Sequence, residues 1–138
     1  MTDKTFVDSN ILLYAHDLDA GAKRSAAADV LTKLWAGRAG VVSPQVLQEF
    51  YVNATRKLAR PLPKQVAQSI VEKYAHWCID TTAAEVVSAF RIERDARISF
   101  WDALICASAL KSGAAILLSE DLNPGQRIAG IRIQNPFA

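Results

Sequence analysis

Short β-type runs alternate with longer helical patterns along this chain, and that alternation constrains the fold more than any other feature. Strands joined through helices pair in parallel and bury both faces of their sheet. The runs are Phe6-Val7, Val41-Val42, Cys78-Ile79, Ala115-Ile116-Leu117-Leu118 and Ile131-Arg132-Ile133. Between them, Ala27, Val30, Leu31 and Leu34 recur at helical spacing, as do Val66, Ile70, Tyr74 and Trp77, and then Val86, Val87, Ala89 and Phe90. Ser43 followed by Pro44 reads as an N-cap and first helical residue, and Thr82 with Glu85 as a capping box. The segment from Phe100 to Leu110 carries no charge except Asp102 and is apolar nearly all round, with Gly113 as its stop. It is predicted to be a central, buried helix. The expectation is an α/β fold with a central, mainly parallel β-sheet flanked by helices on both faces, and with one helix pair before Val41 and another after Ser43.

A chain of 138 residues with 51% hydrophobic and 22% charged side chains is long enough for one self-sufficient core. It is therefore read as a single domain over 1–138, and disordered or low-complexity scaffolds are excluded. The formal net charge of +2 is too small for a protein that coats nucleic acid, so any such partner must be recognised by a local patch or a metal. Cys78 and Cys106 offer neither a disulfide framework nor zinc-ligand spacing. With Asp3, Lys4 and Asp8 interrupting the N-terminal stretch, no signal peptide or membrane span is expected. Cytoplasmic residence is the expectation.

In open parallel sheets ligands bind beyond the carboxyl ends of the strands. Asp8 ends the first run and Asp121 follows the Ile116–Leu118 run, while Glu49 and Asp102 lie near the starts of helices that should point the same way. Each acid has an ordinary structural explanation alone: an Asx turn for Asp8, a Ser99-x-x-Asp102 capping box, a solvated helix acid for Glu49, a turn residue for Asp121. Convergence of all four would be different, because clustered carboxylates stay ionised only when a cation neutralises them. Oxygen donors select hard divalent ions, so Mg²⁺ or Mn²⁺ is expected and phosphoryl or phosphodiester chemistry follows. His16 and His76 read as helix-surface or capping residues, and Trp35, Tyr51, Trp77 and Phe100 as mainly core.

Four segments then carry a family resemblance. Phe6-Val7-Asp8-Ser9-Asn10, Ser43-Pro44-Gln45-Val46-Leu47-Gln48-Glu49-Phe50, Ser99-Phe100-Trp101-Asp102-Ala103 and Leu118-Ser119-Glu120-Asp121-Leu122 resemble, in order and spacing, the acidic motifs of PIN domains. More narrowly, the chain resembles the VapC-like toxins of type II toxin–antitoxin modules. The resemblance implies a PIN-like fold and a metal-dependent endoribonuclease, with Asp8 and Asp102 as direct ligands of Mg²⁺ or Mn²⁺. Glu49 would serve the metal or orient the attacking water, and Asp121 would act partly through water. Asn10 and Ser119 would support these acids by hydrogen bonding, and Glu120 adds a fifth acid outside the simplest pattern. A cognate antitoxin and a homodimer are implied as partners.

Arg56, Lys57, Arg60 and Lys64 form a basic cluster that is either a solvated face or a contact for RNA phosphates. The tract from Val66 to Trp77, with the helix after it, is a candidate dimer face. Three alternatives stay open at this point. A receiver-like Mg²⁺-binding signalling module would need a phosphoacceptor aspartate where the middle strand ends at Val42-Ser43. A haloacid-dehalogenase-like phosphatase would need an acid where Asn10 stands. A non-catalytic PIN-like domain that only binds RNA or protein is the third.

Overall fold

The computed structural model describes residues 3–138. Five strands form one sheet: β1 (Thr5–Val7), β2 (Gly40–Val41), β3 (Ile116–Leu118), β4 (Arg127–Ile128) and β5 (Ile131–Gln134), in the order β2-β1-β3-β5-β4. All neighbours are parallel except β4 and β5. Six α-helices flank it: α1 (Ser9–His16), α2 (Ala22–Gly37), α3 (Pro44–Arg56), α4 (Lys64–Tyr74), α5 (Ala83–Ala96) and α6 (Phe100–Ser112). Helix α1 packs against both α2 and α3, α3 packs against α4, and α5 pairs closely with α6. The expected α/β architecture is therefore present, with both helix pairs where the sequence put them. From β1 the chain passes to β2 on one side and later to β3 on the other, so the carboxyl ends of β1 and β3 border a topological switch point.

The local signals work as chemistry predicts. Ser43 Oγ accepts from the Val46 amide, with Pro44 filling the first turn. Thr82 and Glu85 complete a reciprocal capping box, and Glu85 also receives Lys111 Nζ at 3.1 Å, tying the start of α5 to the end of α6. Phe6, Val7, Ile11, Leu12, Val42, Val46, Phe50, Leu117 and Ile133 are fully buried around the sheet. In α6, Ala103 and the run Ile105–Ala109 are buried, as expected for a central helix.

Four expectations are corrected. Cys78-Ile79 is no strand: a 3-10 turn at Ala75–Trp77 runs straight into it, leaving one parallel bridge from Cys78 to Val42. Strand β4 was not foreseen, because its hairpin turn is Ala129-Gly130 with φ of 52° and 86°, the twist-matching geometry built here without the usual Asn or Asp. In α5 the buried face is Glu85, Ala89 and Ile92, the face that packs against α6, whereas Val86, Val87 and Phe90 are exposed; of the expected residues only Ala89 lies inside. His16 is neither surface nor cap: it lies half-buried against Phe50 and Tyr74, and burial foremost lowers its pKa.

Gly40 shows how tight the β2 edge is. A Cβ there would stand 2.7 Å from the Trp77 ring, which is itself wedged against Trp35 and Tyr74 at centroid distances of 4.4 and 5.1 Å. Trp77 is thus core, as expected, while Trp35, Tyr51 and Phe100 are half-buried.

Candidate active site

Asp8 leaves β1 as the N-cap of α1, and its position is over-determined. Its Oδ1 accepts from the Ser9 amide at 2.7 Å, and its Oδ2 accepts from Ser119 Oγ at 2.8 Å across the β1–β3 junction. The residue is buried, and burial pushes its pKa up to about 7, with the charges of Glu49 and Asp121 adding to the rise and the two hydrogen bonds opposing it. A carboxyl group removed from water keeps its proton unless positive charge is brought to it.

The other acids are held near by their own tethers. Glu49, in the second turn of α3, accepts from Ser9 Oγ at 3.1 Å and from Gln45 Nε2 at 3.3 Å; Gln45 also donates to the Trp101 carbonyl, which links α3 to the start of α6. Asp121 accepts from Asn10 Nδ2 at 3.1 Å, and its amide donates to Ser119 Oγ at 3.1 Å. Asp102 stands in the first turn of α6, where its amide donates to Ser99 Oγ. Half-burial and the field of Asp121 raise its pKa. Buried Cys106 reports the same field: burial, then Asp102 and Asp8, push its thiol up to about 12, so it is protonated and inert. Asn10 and Ser119 thus occupy the bridging positions, and Ser9 and Gln45 are two further tethers that sequence reasoning passed over. Ser9 has no spacing signal, since Glu49 lies far along the chain, whereas Gln45 stands four residues before Glu49 on the same helix, a spacing that could have revealed it.

Among the described residues, no three carboxylates stand close enough to form a ready-made metal cage. The donor set still fits a hard cation that keeps most of its waters and takes only one or two carboxylates directly, which is how Mg²⁺ is usually held. Glu120 points out of the pocket to Lys23, at 2.8 Å. Two grooves of about 500 Å³ lie elsewhere, one beside Arg91 and Arg127 and one beside Arg132 and Gln134. In the basic cluster, Arg60 is engaged in a two-point ion pair with Asp19, Arg56 and Lys64 are exposed, and Lys57 shares a depression with Glu49 and Asn53. At the middle strand, Ser43 is fully buried and spent on its cap, so the receiver-like reading lacks its acceptor.

Comparison with known proteins identifies the fold and the family. No curated protein matches the sequence. Among solved structures, VapBC from Salmonella typhimurium bound to DNA is 21% identical, with a TM-score of 0.66 over 98% of this chain and 99% of that one. Mycobacterium tuberculosis VapC20, a toxin that cleaves the sarcin-ricin loop, is 19% identical, with a TM-score of 0.64 over 94% and 99%. FitAB bound to a DNA fragment gives 15% identity and a TM-score of 0.70 over 97% and 96%. These likenesses establish the shared fold. The PIN domain family model matches residues 5–129, spanning β1 through β4 and including Asp8, Glu49, Asp102 and Asp121, and the chain accordingly belongs to the PIN domain family.

Proposed function

We propose that this protein is a metal-dependent endoribonuclease and the toxin of a toxin–antitoxin pair. The observation that carries the reading is the hydrogen-bonded gathering of Asp8, Glu49 and Asp121 at the β1–β3 switch point, with Asp102 within the field of Asp121. Mg²⁺ or Mn²⁺, when bound, supplies positive charge to a phosphate oxygen and makes a water more acidic. Asp8 and Asp102 hold it directly. Glu49, steered by Ser9 and Gln45, holds it or orients the attacking water, and Asp121 acts partly through water. Asn10 and Ser119 keep Asp8 and Asp121 in register. Lys57, beside Glu49, takes a backbone phosphate of the RNA; Arg56 and Lys64 extend that contact, and Arg60 joins it only by leaving Asp19.

The solved VapBC and FitAB complexes support a cognate antitoxin as partner. Homodimerisation is proposed on α5 rather than α4. Helix α4 turns Ala67 and Tyr74 into its own core and exposes Val66 at 46%, whereas Val87 and Phe90 of α5 are 64 and 53% exposed and Trp101 of α6 is 62% exposed. None of the helices is long and apolar enough to cross a membrane among the described residues, in keeping with action in the cytoplasm on RNA. The test is incubation of pure protein with structured and unstructured RNAs, in chelator and with added Mg²⁺ or Mn²⁺. Cleavage only with metal, leaving 5′-phosphate ends, is expected. Products ending in 2′,3′-cyclic phosphate, or undiminished cleavage in chelator, would overturn the reading.

A further inference from the structure

Lys23 stands where helix energetics disfavour it. It lies in the first turn of α2, whose N-cap is Gly21 without a side-chain cap and whose first turn holds no acid, so an ammonium there opposes the helix dipole. Its neighbours explain the placement. Lys23 Nζ is 2.8 Å from Glu120 Oε1 and sits over the Tyr14 and Phe137 rings, 4.8 and 5.6 Å from their centroids. Tyr14 and Phe137 meet edge to face at 5.1 Å, so the ammonium is held in an aromatic corner. Among the described residues Glu120 Oε2 is buried without a hydrogen-bond partner, and Lys23 is the cation paired with this carboxylate.

Glu120 is the residue between Ser119 and Asp121. Its amide donates to Asn10 Oδ1 at 3.3 Å, the same side chain whose amino group holds Asp121. Side chains therefore leave this turn alternately: Ser119 to Asp8, Glu120 to α2, exposed Asp121 to Asn10, Leu122 to the core. We propose that Lys23 is a positioning residue of the acid pocket, pinning Glu120 against α2 so that the turn presents Asp121 and a fifth carboxylate stays out of the site. Only the consequence for cation binding rests on the nuclease reading; the ordering of the turn does not.

The experiment compares wild type with Lys23→Ala, Lys23→Arg, Glu120→Gln and the Lys23→Ala/Glu120→Gln double variant. Two readouts are taken: backbone amide exchange across residues 119–122, and Mn²⁺ binding titrated directly without RNA. In Lys23→Ala the turn exchanges faster and Mn²⁺ binds about tenfold more weakly, the usual size of effect for an outer-shell partner. Arginine restores both, Glu120→Gln falls between, and the double variant is no worse than Lys23→Ala alone. Unchanged exchange in Lys23→Ala overturns the proposal, as does failure of arginine to restore order. So does a Glu120→Gln variant indistinguishable from wild type beside an impaired Lys23→Ala, because Lys23 would then act on something else. A wild type that binds no Mn²⁺ overturns the nuclease reading instead, and amide exchange still decides the role of Lys23.

Discussion

Replacing Asp8 with Asn removes a buried charge while keeping the shape of the side chain. The folded protein holds the Asp8 proton up to a pKa of about 7, against 3.8 for a solvated aspartate. Stability from this residue is therefore fully present below the lower value and lost as pH climbs through the higher one. Between pH 5 and 8 that loss amounts to about 3 kcal/mol, at ~1.4 kcal/mol for each pH unit over which only the folded state stays protonated. Asparagine has no such dependence. It keeps the bond from the Ser9 amide, but its amino group faces Ser119 Oγ, and losing that hydrogen bond costs roughly 1 kcal/mol. Relative to a fully protonated Asp8 the parent has already lost about 1.7 kcal/mol at pH 5 and about 4 kcal/mol at pH 8. In chelator, Asp8→Asn should thus melt slightly above the parent at pH 5 and above it by about 3 kcal/mol at pH 8, on the order of 10 °C for a domain of this size. Thermal or urea melts of both proteins from pH 5 to 8.5 make the measurement. Stability curves that stay parallel across that range would refute the argument, since Asp8 would then titrate as a solvated acid.

Asp102→Asn separates pocket from cap: in chelator it should gain on the order of 1 kcal/mol if relief of repulsion dominates, and lose roughly 0.3–1 kcal/mol if the helix dipole does, read by melting with and without Mg²⁺. Either Asp8→Asn or Asp102→Asn should abolish most metal-dependent RNA cleavage while the circular-dichroism spectrum stays that of the parent. Gly40→Ala should cost about 1–3 kcal/mol by denaturant melt, because the new Cβ meets a Trp77 ring that Trp35 and Tyr74 block from retreating. Phe90→Ser should shift sedimentation from dimer to monomer at micromolar concentration; a parent that is already monomeric would remove the α5 interface.

The legible parts of this molecule were those governed by neighbours in sequence. Ser43-Pro44, Thr82-x-x-Glu85 and Gly113 act within one helical turn, so the boundaries of α3, α5 and α6 could be read directly. The acids were visible because strand ends and first helical turns are local features too. What escaped depends on distant partners. Ser9 reaches Glu49, Gln45 reaches Trp101 and Lys23 reaches Glu120, contacts that no periodicity encodes. Helix α5 misled for a related reason: its larger apolar residues suggested the inner face, but the face packed against α6 carries Glu85, Ala89 and Ile92.

Ser119 gives the crevice a direction. Its hydroxyl has one proton, given to Asp8, while its oxygen takes the Asp121 amide and, at 3.4 Å, Asn10 Nδ2. A hydroxyl so employed has nothing left to relay. Every hydrogen bond in this chain of contacts therefore runs toward Asp8, which is its terminus. A proton on Asp8 occupies a lone pair that neither Ser9 nor Ser119 uses, and no path back through Ser119 is open to it. Ser9 Oγ, 3.5 Å from Asp8 Oδ1 and 3.1 Å from Glu49 Oε1, is the hydroxyl that remains, so the route for that proton leads toward Glu49 rather than toward Asp121.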